Sequence, residues 1–421
     1  MLDPIKLYQY LETLEIPSRL LIAFSGGMDS HVLLHALASL RSEHPELVLR
    51  AVHIDHGLHA DATQWSQHCQ TVCQNLNIEC LVLRLDGTQD WRQRSLEEVA
   101  REQRYQLLSG VLQEDECLLT AHTLDDQAET VLLQMLRGAG VQGLAAMPIV
   151  KVFAKGFLAR PLLDVSRKSI QDYAVNFNLQ WIEDTSNTSM RFDRNYLRHQ
   201  VLPLLNSRWP AVKPVLARVA DHCAEASELL EQLADQDLQL AAGSVPDTLS
   251  ISVLKTLSWN RQKNLLRFWL RKLELRVPTA LKLQQLLQDF LSAAADANPQ
   301  MQWPGVDIRR FADDLYAFTP LPAHNSQQIL SWDLQQPLPL PARIGVLMPE
   351  AIPEALQLSP TAAITVRFRQ GGERLYLSGR QGSRSLKKLM QEWRIPPWLR
   401  DRIPLLYQDE CLVAVLAAFK S

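Results

Sequence analysis

Short apolar runs alternate with longer segments of helical periodicity over residues 20–185. The apolar runs cover residues 20–24, 47–54, 80–85 and 117–121, and stretches with helix-type spacing separate them. Apolar runs of this length are typical of buried strands, and strands that alternate with helices form parallel sheets. The pattern therefore predicts an α/β fold in which helices cover a parallel sheet.

The pattern changes after residue 205. Leucine-, glutamine- and alanine-rich periodic stretches over residues 206–320 predict a helical domain. Prolines concentrate between residues 321 and 360, which is typical of an extended linker and the entry to a further domain. Residues 361–421 mix short β-type runs with one helical segment and predict a small α+β domain. Together with residues 1–205, these segments predict three domains and a linker.

Charge is distributed unevenly along the chain. The formal net charge is −3, but residues 361–421 hold eleven Lys/Arg and five Asp/Glu, so this segment carries +6 and the rest carries −9. A basic module attached to an acidic body suits a polyanion partner, because a small anion requires far fewer cations. The alternative is a solvated basic face without a partner.

The spacing of the cysteines and the hydropathy of the chain indicate the cellular location. The six cysteines form no C-x-x-C pair, which predicts reduced thiols, and the group His68, Cys69, Cys73 and Cys80 has the spacing of no common zinc finger. No apolar run approaches the length of a membrane span, and the first residues lack the basic and apolar regions of a secretory signal. We expect a cytoplasmic protein that does not bind membranes.

The first predicted strand leads into a helical segment through the turn Ser25-Gly26-Gly27-Met28-Asp29-Ser30. Adjacent glycines let the backbone approach an anion, and the following helix N-terminus adds partial positive charge. The spacing matches neither a P-loop nor G-x-G-x-x-G, and it resembles the pyrophosphate loop of the ATP pyrophosphatases. The alternative is a plain strand-to-helix turn rich in glycine and serine.

Charged residues gather at two predicted helix starts. His122, Asp125 and Asp126 lie where the fourth predicted strand meets a helix, so the carboxylates suit either a helix cap or Mg²⁺ beside phosphate. Ser95 and Glu98 have the spacing of a capping box for a helix that runs through Leu108. Arg101 and Arg104 share one face of that helix, where a surface ion pair is the alternative to a functional role.

Further cations follow a polar turn at residues 183–187. The sequence Arg191-Phe192-Asp193-Arg194-Asn195-Tyr196-Leu197-Arg198-His199 could hold phosphate, carboxylate or RNA backbone. It could equally form a charged hinge to the helical domain. The sequence alone leaves both interpretations open.

These segments together closely resemble the bacterial tRNA(Ile)-lysidine synthetase family in order and spacing. The matching stretches are residues 25–30, 52–58, 98–105, 121–130, 184–187, 194–198, 367–373 and 387–390. The first loop is common to a wider superfamily, whereas residues 184–198 and the tail are specific. The resemblance implies a Rossmann-like nucleotide-binding domain of the pyrophosphatase-loop type, followed by the helical and α+β domains.

The resemblance also implies a ligase reaction in two steps. ATP adenylates the C2 oxygen of the wobble cytidine in an isoleucine tRNA with a CAU anticodon, and pyrophosphate leaves. The side-chain amine of L-lysine then attacks C2 and expels AMP, which gives lysidine. ATP and Mg²⁺ are the implied cofactors, tRNA(Ile) and lysine are the implied partners, and a homodimer is left open.

Site residues follow from the same resemblance. The ATP phosphates are assigned to Ser25, Gly26, Gly27, Met28, Asp29 and Ser30, and the backbone of His53 and Ile54 is assigned to adenine. The catalytic group is expected to comprise Asp29, Arg101, His122 and Asp126, with Asp29 and Asp126 near Mg²⁺ and Asp126 acting as base or anchor. The remaining assignments are Arg104, Asp126, Arg194, Asn195 and Arg198 for substrate, and Arg380, Arg384, Lys387 and Lys388 for tRNA.

There are three alternatives to this function. Thiouridine-forming relatives use the same ATP loop but require cysteines that carry sulfur, commonly as a pair. Amide-forming relatives carry a glutaminase domain for which this chain has no spare length. A non-catalytic RNA-binding protein could retain the fold and the basic tail. RNA-dependent pyrophosphate release from ATP separates that last class from the enzymes.

Overall fold

The computed structural model of the protein describes residues 1–421 except 56, 58–60, 86–95, 184–188, 295–296, 353–355, 357, 359–361, 377–382 and 417–421. The chain divides into two compact units, Met1–Leu230 and Glu231–Ser421. Within the described ranges, no helix combines the length and apolar character needed to cross a membrane.

Six strands form the sheet of the first unit: β1 (Arg19–Ala23), β2 (Val48–Asp55), β3 (Glu79–Arg84), β4 (Glu116–Leu119), β5 (Val150–Phe153) and β6 (Gly156–Ala159). Their order across the sheet is β3-β2-β1-β4-β6-β5. All neighbours are parallel except β5, which runs antiparallel to β6. The structure confirms the parallel sheet and its four predicted strands, whereas the β5–β6 hairpin was not predicted.

The helices of this unit are α1 (Pro4–Thr13), α2 (Met28–Ser39), α3 (Ala62–Asn75), α4 (Leu96–Val111), α5 (Leu124–Leu136), α6 (Val141–Leu144), α7 (Arg167–Asn176), α8 (Asp193–Tyr196) and α9 (Leu202–Arg208). A π-helical turn, Leu197–Val201, connects α8 to α9. Helix α10 (Val212–Leu240) crosses the boundary between the two units. The predicted cap of α4 at Ser95 lies outside the described residues.

Alternate residues of β1 face opposite sides of the sheet. Leu20 and Ile22 are buried in a cluster with residues of α1, α2, α3 and α7. Leu21 and Ala23 are buried in a second cluster that includes Leu108 of α4. Helices therefore cover both faces, which explains why the central strands are continuous apolar runs instead of alternating ones.

The parallel strands bring several loops to one edge of the sheet. Residues 24–30 follow β1, Asp55 ends β2, residues 120–123 follow β4, and Arg160 follows β6. Ligands of open α/β sheets bind at the carboxyl ends of the strands. The topology thus gathers the glycine turn, His53 and His122 at the edge where a ligand is expected.

The second unit begins with helices and a small sheet. The helices are α11 (Ile251–Thr256), α12 (Trp259–Lys272) and α13 (Ala280–Ser292), and the strands are β7 (Leu249–Ser250), β8 (Gln300–Trp303), β9 (Val306–Phe311) and β10 (Asp314–Phe318). The antiparallel strands have the order β7-β10-β9-β8. This sheet was not predicted, because charged residues such as Asp307 and Arg310 are buried on it and interrupt the apolar pattern.

The C-terminal part contains β11 (Leu330–Ser331), β12 (Leu338–Leu340), β13 (Gly345–Leu347), β14 (Ile364–Arg367), β15 (Arg374–Tyr376), β16 (Ser383–Ser385), α14 (Leu386–Glu392), β17 (Leu405–Gln408) and β18 (Cys411–Val415). Strands β11, β14, β17 and β18 form one sheet, and β12–β13 and β15–β16 form hairpins.

Residues 321–360, which the sequence predicts as a linker and domain entry, include β11, β12 and β13. Strand β11 pairs with β14, and Trp332 and Leu347 share a core with Phe368 and Leu406. Proline is tolerated in short edge strands, so Pro339 fits within the β12–β13 hairpin. This segment is therefore partly built into the C-terminal core.

Candidate active site

Hydroxyl groups close the glycine turn on itself. Ser30 Oγ lies 3.0 Å from Ser25 Oγ, accepts a hydrogen bond from the Ser25 amide (3.2 Å) and donates to the Gly27 carbonyl (3.0 Å). Gly27 is the N-cap of α2 in an extended conformation, and the side chain of Ser25 is exposed. Residues 25–30, called the Ser25 loop below, present the open start of a helix to solvent, which suits an anion.

Gly26 fixes the shape of this loop. Its φ is +82°, and a Cβ at this position would lie 2.7 Å from Ile182 Cδ1 and 3.0 Å from Cys69 Sγ. The Gly26 carbonyl also accepts a hydrogen bond from the Ile182 amide at 2.9 Å. Only glycine meets both demands, because a side chain is strained at this φ and collides with packed neighbours.

His53 contacts the backbone of Phe24, the residue that precedes the Ser25 loop. Its side chain is buried, and Nδ1 lies 2.9 Å from the Phe24 carbonyl oxygen and 3.3 Å from Cys69 Sγ. Burial lowers the pKa of His53, so the imidazole is neutral near pH 7. Ile54 is also buried, on the same strand. The side chain of His53 therefore has a structural contact, and its backbone lies at the sheet edge.

Asp29 lies in the first turn of α2, and one of its carboxylate oxygens has no partner among the described residues. Oδ1 is buried and makes no hydrogen bond with any residue that the structure describes. Burial raises the pKa of Asp29 to about 6, against the opposing effect of Arg167. Asp126, Arg198 and Asp125 also contribute to its electrostatic environment, which groups these side chains around it.

Both oxygens of Asp126 are occupied. Oδ2 accepts hydrogen bonds from the Thr123 amide (2.8 Å) and the Thr123 hydroxyl (3.0 Å), which forms a capping box at the start of α5. Oδ1 accepts from Arg194 Nη2 and Arg198 Nη2, each at 2.9 Å. Burial opposes ionisation, but Arg194 and the Thr123 amide outweigh it and lower the pKa of Asp126. The residue is thus an ionised anchor.

Glu129 completes the cluster one turn further along α5. It is fully buried and accepts from Arg194 Nε at 2.8 Å and from Arg198 Nε and Nη2 at 2.6 and 2.8 Å. Asp126 and Glu129 are three residues apart, so their side chains lie on one face of the helix. We call Asp126, Glu129, Arg194 and Arg198 the charge cluster.

Asp125 has a separate structural role. Its Oδ2 accepts from the Arg167 amide at 3.1 Å, at the start of α7, and its Oδ1 pairs with Lys213 Nζ. The two adjacent aspartates, which the sequence left as alternatives for a cap or a metal, are therefore both held by protein groups. Thr123 is the N-cap of α5 and Asp126 completes its capping box, whereas Asp125 binds the start of α7.

His122 lies among arginines. Its Nδ1 is 2.9 Å from Thr120 Oγ1. Burial lowers the pKa of His122 to about 3, and Arg160, Arg104 and Arg194 lower it against the opposing effect of Asp126. The imidazole is therefore neutral at physiological pH. Sequence reasoning missed Arg160, which is 3% exposed and donates from Nη1 to the Pro148 carbonyl at 2.6 Å.

The two arginines predicted on α4 have different surroundings. Arg101 is exposed, and its guanidinium lies 5.4 Å from the centre of the Tyr105 ring. Arg104 is partly buried, and burial lowers its pKa. Arg104 contributes to the electrostatic environment of His122.

The remaining predicted residues are Asn195, the residues of the basic tail, and positions outside the described ranges. Asn195 Nδ2 donates to the Ser189 carbonyl at 2.9 Å, while residues 184–187 are outside the described ranges. In the tail, Arg384 pairs with Glu392, and Lys387 and Lys388 are exposed on α14. Arg380 is outside the described residues.

The donors fit a phosphate-bound divalent ion better than a protein-held one. Among the residues described, His, Cys, Asp and Glu form no group of three or more that could hold a metal. Mg²⁺ typically binds through one or two carboxylates plus phosphate oxygens. Asp29 Oδ1, which has no partner among the described residues, would supply one such ligand beside the Ser25 loop. The oxygens of Asp126 are already filled by Thr123 and the arginines.

Comparison with known proteins adds family relationships. Residues 4–205 match the PP-loop domain, residues 249–316 the TilS substrate binding domain, and residues 364–421 the TilS substrate C-terminal domain. The chain is 47% identical over 422 residues to a tRNA(Ile)-lysidine synthase of Coxiella burnetii, covering 98% of this chain and 92% of that protein.

Two further relatives have the same name and similar coverage. The tRNA(Ile)-lysidine synthase of Photorhabdus laumondii is 42% identical over 405 residues, covering 95% of this chain and 90% of that protein. That of Legionella pneumophila strain Lens is 38% identical over 416 residues, covering 99% of this chain and 95% of that protein. The similarity thus extends through both compact units.

Proposed function

The chain belongs to the tRNA(Ile)-lysidine synthase family, and on that premise we propose that it ligates L-lysine to the wobble cytidine of a CAU-anticodon tRNA(Ile). In the first step, the C2 oxygen of cytidine attacks the α-phosphorus of ATP and pyrophosphate leaves. In the second step, the lysine ε-amine attacks C2 and AMP leaves. The product is lysidine.

The observation that carries this proposal is the charge cluster beside the Ser25 loop. Two carboxylates of α5 hold two arginines in fixed positions, and Arg198 and Asp126 act electrostatically on Asp29 at the start of α2. Charges fixed before the reaction stabilise charge that develops in the transition state. Such a site serves adenylation, which needs no protein nucleophile.

We assign the phosphates of ATP to the Ser25 loop. The exposed hydroxyl of Ser25, the amides at the start of α2 and the partial positive charge of its N-terminus all favour an anion. Asp29 would hold Mg²⁺ through Oδ1. Bound Mg²⁺ supplies positive charge that stabilises the departing pyrophosphate. The backbone of His53 and Ile54 would lie against adenine.

For the second step we propose that Asp126 is an anchor and not the base. The attacking amine must be neutral, but a carboxylate with a lowered pKa and filled oxygens is a weak proton acceptor. Asp126 and Glu129 instead orient Arg194 and Arg198 toward the substrate. His122 and Arg104 would face the cytidine, where a neutral imidazole donates or accepts a hydrogen bond without adding charge.

We assign tRNA binding to residues 206–320 and to the basic tail, residues 361–421. The net charge of +6 in the tail, with Lys387 and Lys388 exposed, suits a phosphate backbone. Arg380 and Arg384 are proposed contacts of the same surface. Residues 1–205 would form the catalytic domain. We propose a cytoplasmic location, because lysine, ATP and tRNA are all present in the cytoplasm. Light scattering will distinguish a monomer from a homodimer.

The proposal is tested by incorporation of radiolabelled lysine into a CAU-anticodon tRNA transcript with ATP and Mg²⁺. An Asp29→Ala variant run in parallel is expected to lose the label. If the wild type releases pyrophosphate in the presence of the RNA without incorporating lysine, the adenylating chemistry stands and lysine is not the nucleophile. Absence of RNA-dependent pyrophosphate release overturns the enzyme assignment as a whole.

A further inference from the structure

An open cleft is lined by residues of α4 and of strand β5. Its volume is about 530 Å³, and it is lined by Arg101, Glu102, Tyr105, Gln106, Ser109 and Phe153. The proposed reaction uses none of its aromatic residues. The cleft is therefore a feature that the charge cluster and the Ser25 loop leave unexplained.

Aromatic rings and cations are interleaved along this cleft. The rings of Tyr105 and Phe153 are 5.9 Å apart and inclined at 73°. The Arg101 guanidinium and the Lys151 ammonium lie 5.4 and 5.6 Å from the centre of the Tyr105 ring. Lys151 and Phe153 alternate with Val152 on β5, so they share one face of the strand. An aromatic face flanked by cations is typical of sites for unpaired nucleotides.

Buried groups connect this face to the proposed reaction site. The hydroxyl of Tyr105 interacts with the guanidinium of Arg160, which is 3% exposed and has an Nε without a partner in the described part of the chain. Arg160 in turn acts electrostatically on His122. Tyr105 is therefore held by a buried residue next to the catalytic histidine, with its ring left toward the cleft.

We propose that this cleft binds an unstacked base of the anticodon loop next to the wobble cytidine. The ring of Tyr105 provides the stacking surface, Phe153 forms the second wall, and Arg101 and Lys151 neutralise the accompanying phosphate. Glu102 also lines the cleft, so the phosphate lies on the side of the two cations. The inference rests on the proposed function, because it assumes that an anticodon loop is the substrate.

Charge complementarity and position favour RNA over a protein occupant. Two cations surround the aromatic face, and the same helix carries Arg104 into the surroundings of His122. A base that stacks here lies beside the nucleotide that reaches His122. Such a contact would splay the loop open and leave the wobble base accessible, which is how proteins commonly bind single-stranded loops.

The test uses full-length protein and tRNA(Ile) transcripts that carry 2-aminopurine at one anticodon-loop position at a time. Stacking on Tyr105 is expected to quench one position next to the wobble cytidine. Tyr105→Ala and Phe153→Ala should each weaken tRNA binding about tenfold and remove the quenching, because stacking on one aromatic residue has this effect on affinity. ATP affinity should stay unchanged, and Tyr105→Trp should restore quenching.

Val152→Ala is the matched control, since Val152 lies on the opposite face of the same strand and is 78% exposed. Unfolding curves of all variants identify any variant that does not fold. If Tyr105→Ala does not fold, Phe153→Ala still tests the proposal. Unchanged tRNA affinity and quenching in both alanine variants, with an active wild type, overturns this inference alone. In that case the cleft binds a peptide or has no ligand. A wild type without lysidine formation overturns the proposed function instead.

Discussion

Arg198 binds Glu129 through two parallel contacts, Nε to Oε1 at 2.6 Å and Nη2 to Oε2 at 2.8 Å. The two residues come from the π-helical turn after α8 and from α5, which are 69 positions apart. A planar guanidinium matched to a planar carboxylate fixes both distance and orientation. Arg198 is thus positioned by a residue that is itself fully buried.

The first prediction concerns Glu129→Ala. Removal of this carboxylate leaves Asp126 as the shared partner of Arg194 and Arg198. Breaking a buried ion pair typically lowers the free energy of unfolding by about 3–5 kcal/mol, and we expect a decrease near the lower end of this range. Urea unfolding measures it. Glu225→Ala, at an exposed position, should change stability by less than about 0.5 kcal/mol. Equal curves for wild type and Glu129→Ala would contradict a structural role of the charge cluster.

The second prediction compares two neighbouring glycines. Gly26→Ala should destabilise the Ser25 loop and abolish ATP binding, because of the positive φ and the 2.7 Å approach to Ile182. Gly27→Ala should fold normally, since its φ is −76° and its nearest neighbour, Ser25 Oγ, is 3.4 Å from the new Cβ. Thermal unfolding separates the two variants. A Gly26→Ala protein as stable as Gly27→Ala would show that the loop is not so constrained.

The third prediction concerns the pH dependence that Asp29 introduces. Its pKa in the folded protein, about 6, exceeds its ordinary value of 3.8, so folding becomes less favourable as pH rises between these values. Asp29→Asn removes this cost and should stabilise the protein by about 1–3 kcal/mol at pH 7.5. The difference should vanish below about pH 4. A constant difference across this range would argue against a buried, ionising Asp29.

The activity of the wild type should depend on the same group. Protonation of Asp29 removes the proposed Mg²⁺ ligand, so lysidine formation should decline as pH falls through about 6. His122 is already neutral at that pH and should not contribute. Initial rates at ATP concentrations well below KM measure this profile, because kcat/KM reports the ionisations of the free enzyme. A rate that is constant down to pH 5 would exclude Asp29 as the ionisation that limits activity.

The fourth prediction concerns the basic tail. The double variant Lys387→Glu with Lys388→Glu should bind tRNA more weakly and with a shallower dependence on salt, because two phosphate contacts are lost. ATP binding should be unaffected. Arg384→Gln should have a smaller effect, since Arg384 is already paired with Glu392. Unchanged RNA affinity in the double variant would remove this surface from the proposed tRNA contacts.

Much of the first unit was predictable from local signals. The strands β1 to β4 are short apolar runs, and the Ser25 loop stands out because adjacent glycines follow a strand. Glu129 was missed, although its spacing from Asp126 places both on one face of α5. Arg160 carries no local signal, because its importance depends on which strand lies beside β4 in the folded sheet.

The second unit was less predictable for the same physical reason. Helices α12 and α13 have clear periodicity, but β9 carries buried Asp307, which binds Gln300 of β8, and buried Arg310, which binds the Phe290 carbonyl of α13. Alternation of apolar and polar residues fails where a buried charge is paired. Trp332 likewise looks like part of a linker until its contact with the C-terminal core is seen.

Asp126 completes the capping box at the N-terminus of α5 with one carboxylate oxygen and positions two arginines with the other. The same carboxylate therefore couples the stability of that helix start to the positions of the two arginines. A substitution at Asp126 will reduce activity even if the carboxylate never touches a substrate, because the helix end frays when its cap is lost. Loss of turnover at this position therefore measures local folding as much as chemistry, and the two separate only when helix protection is measured by hydrogen exchange.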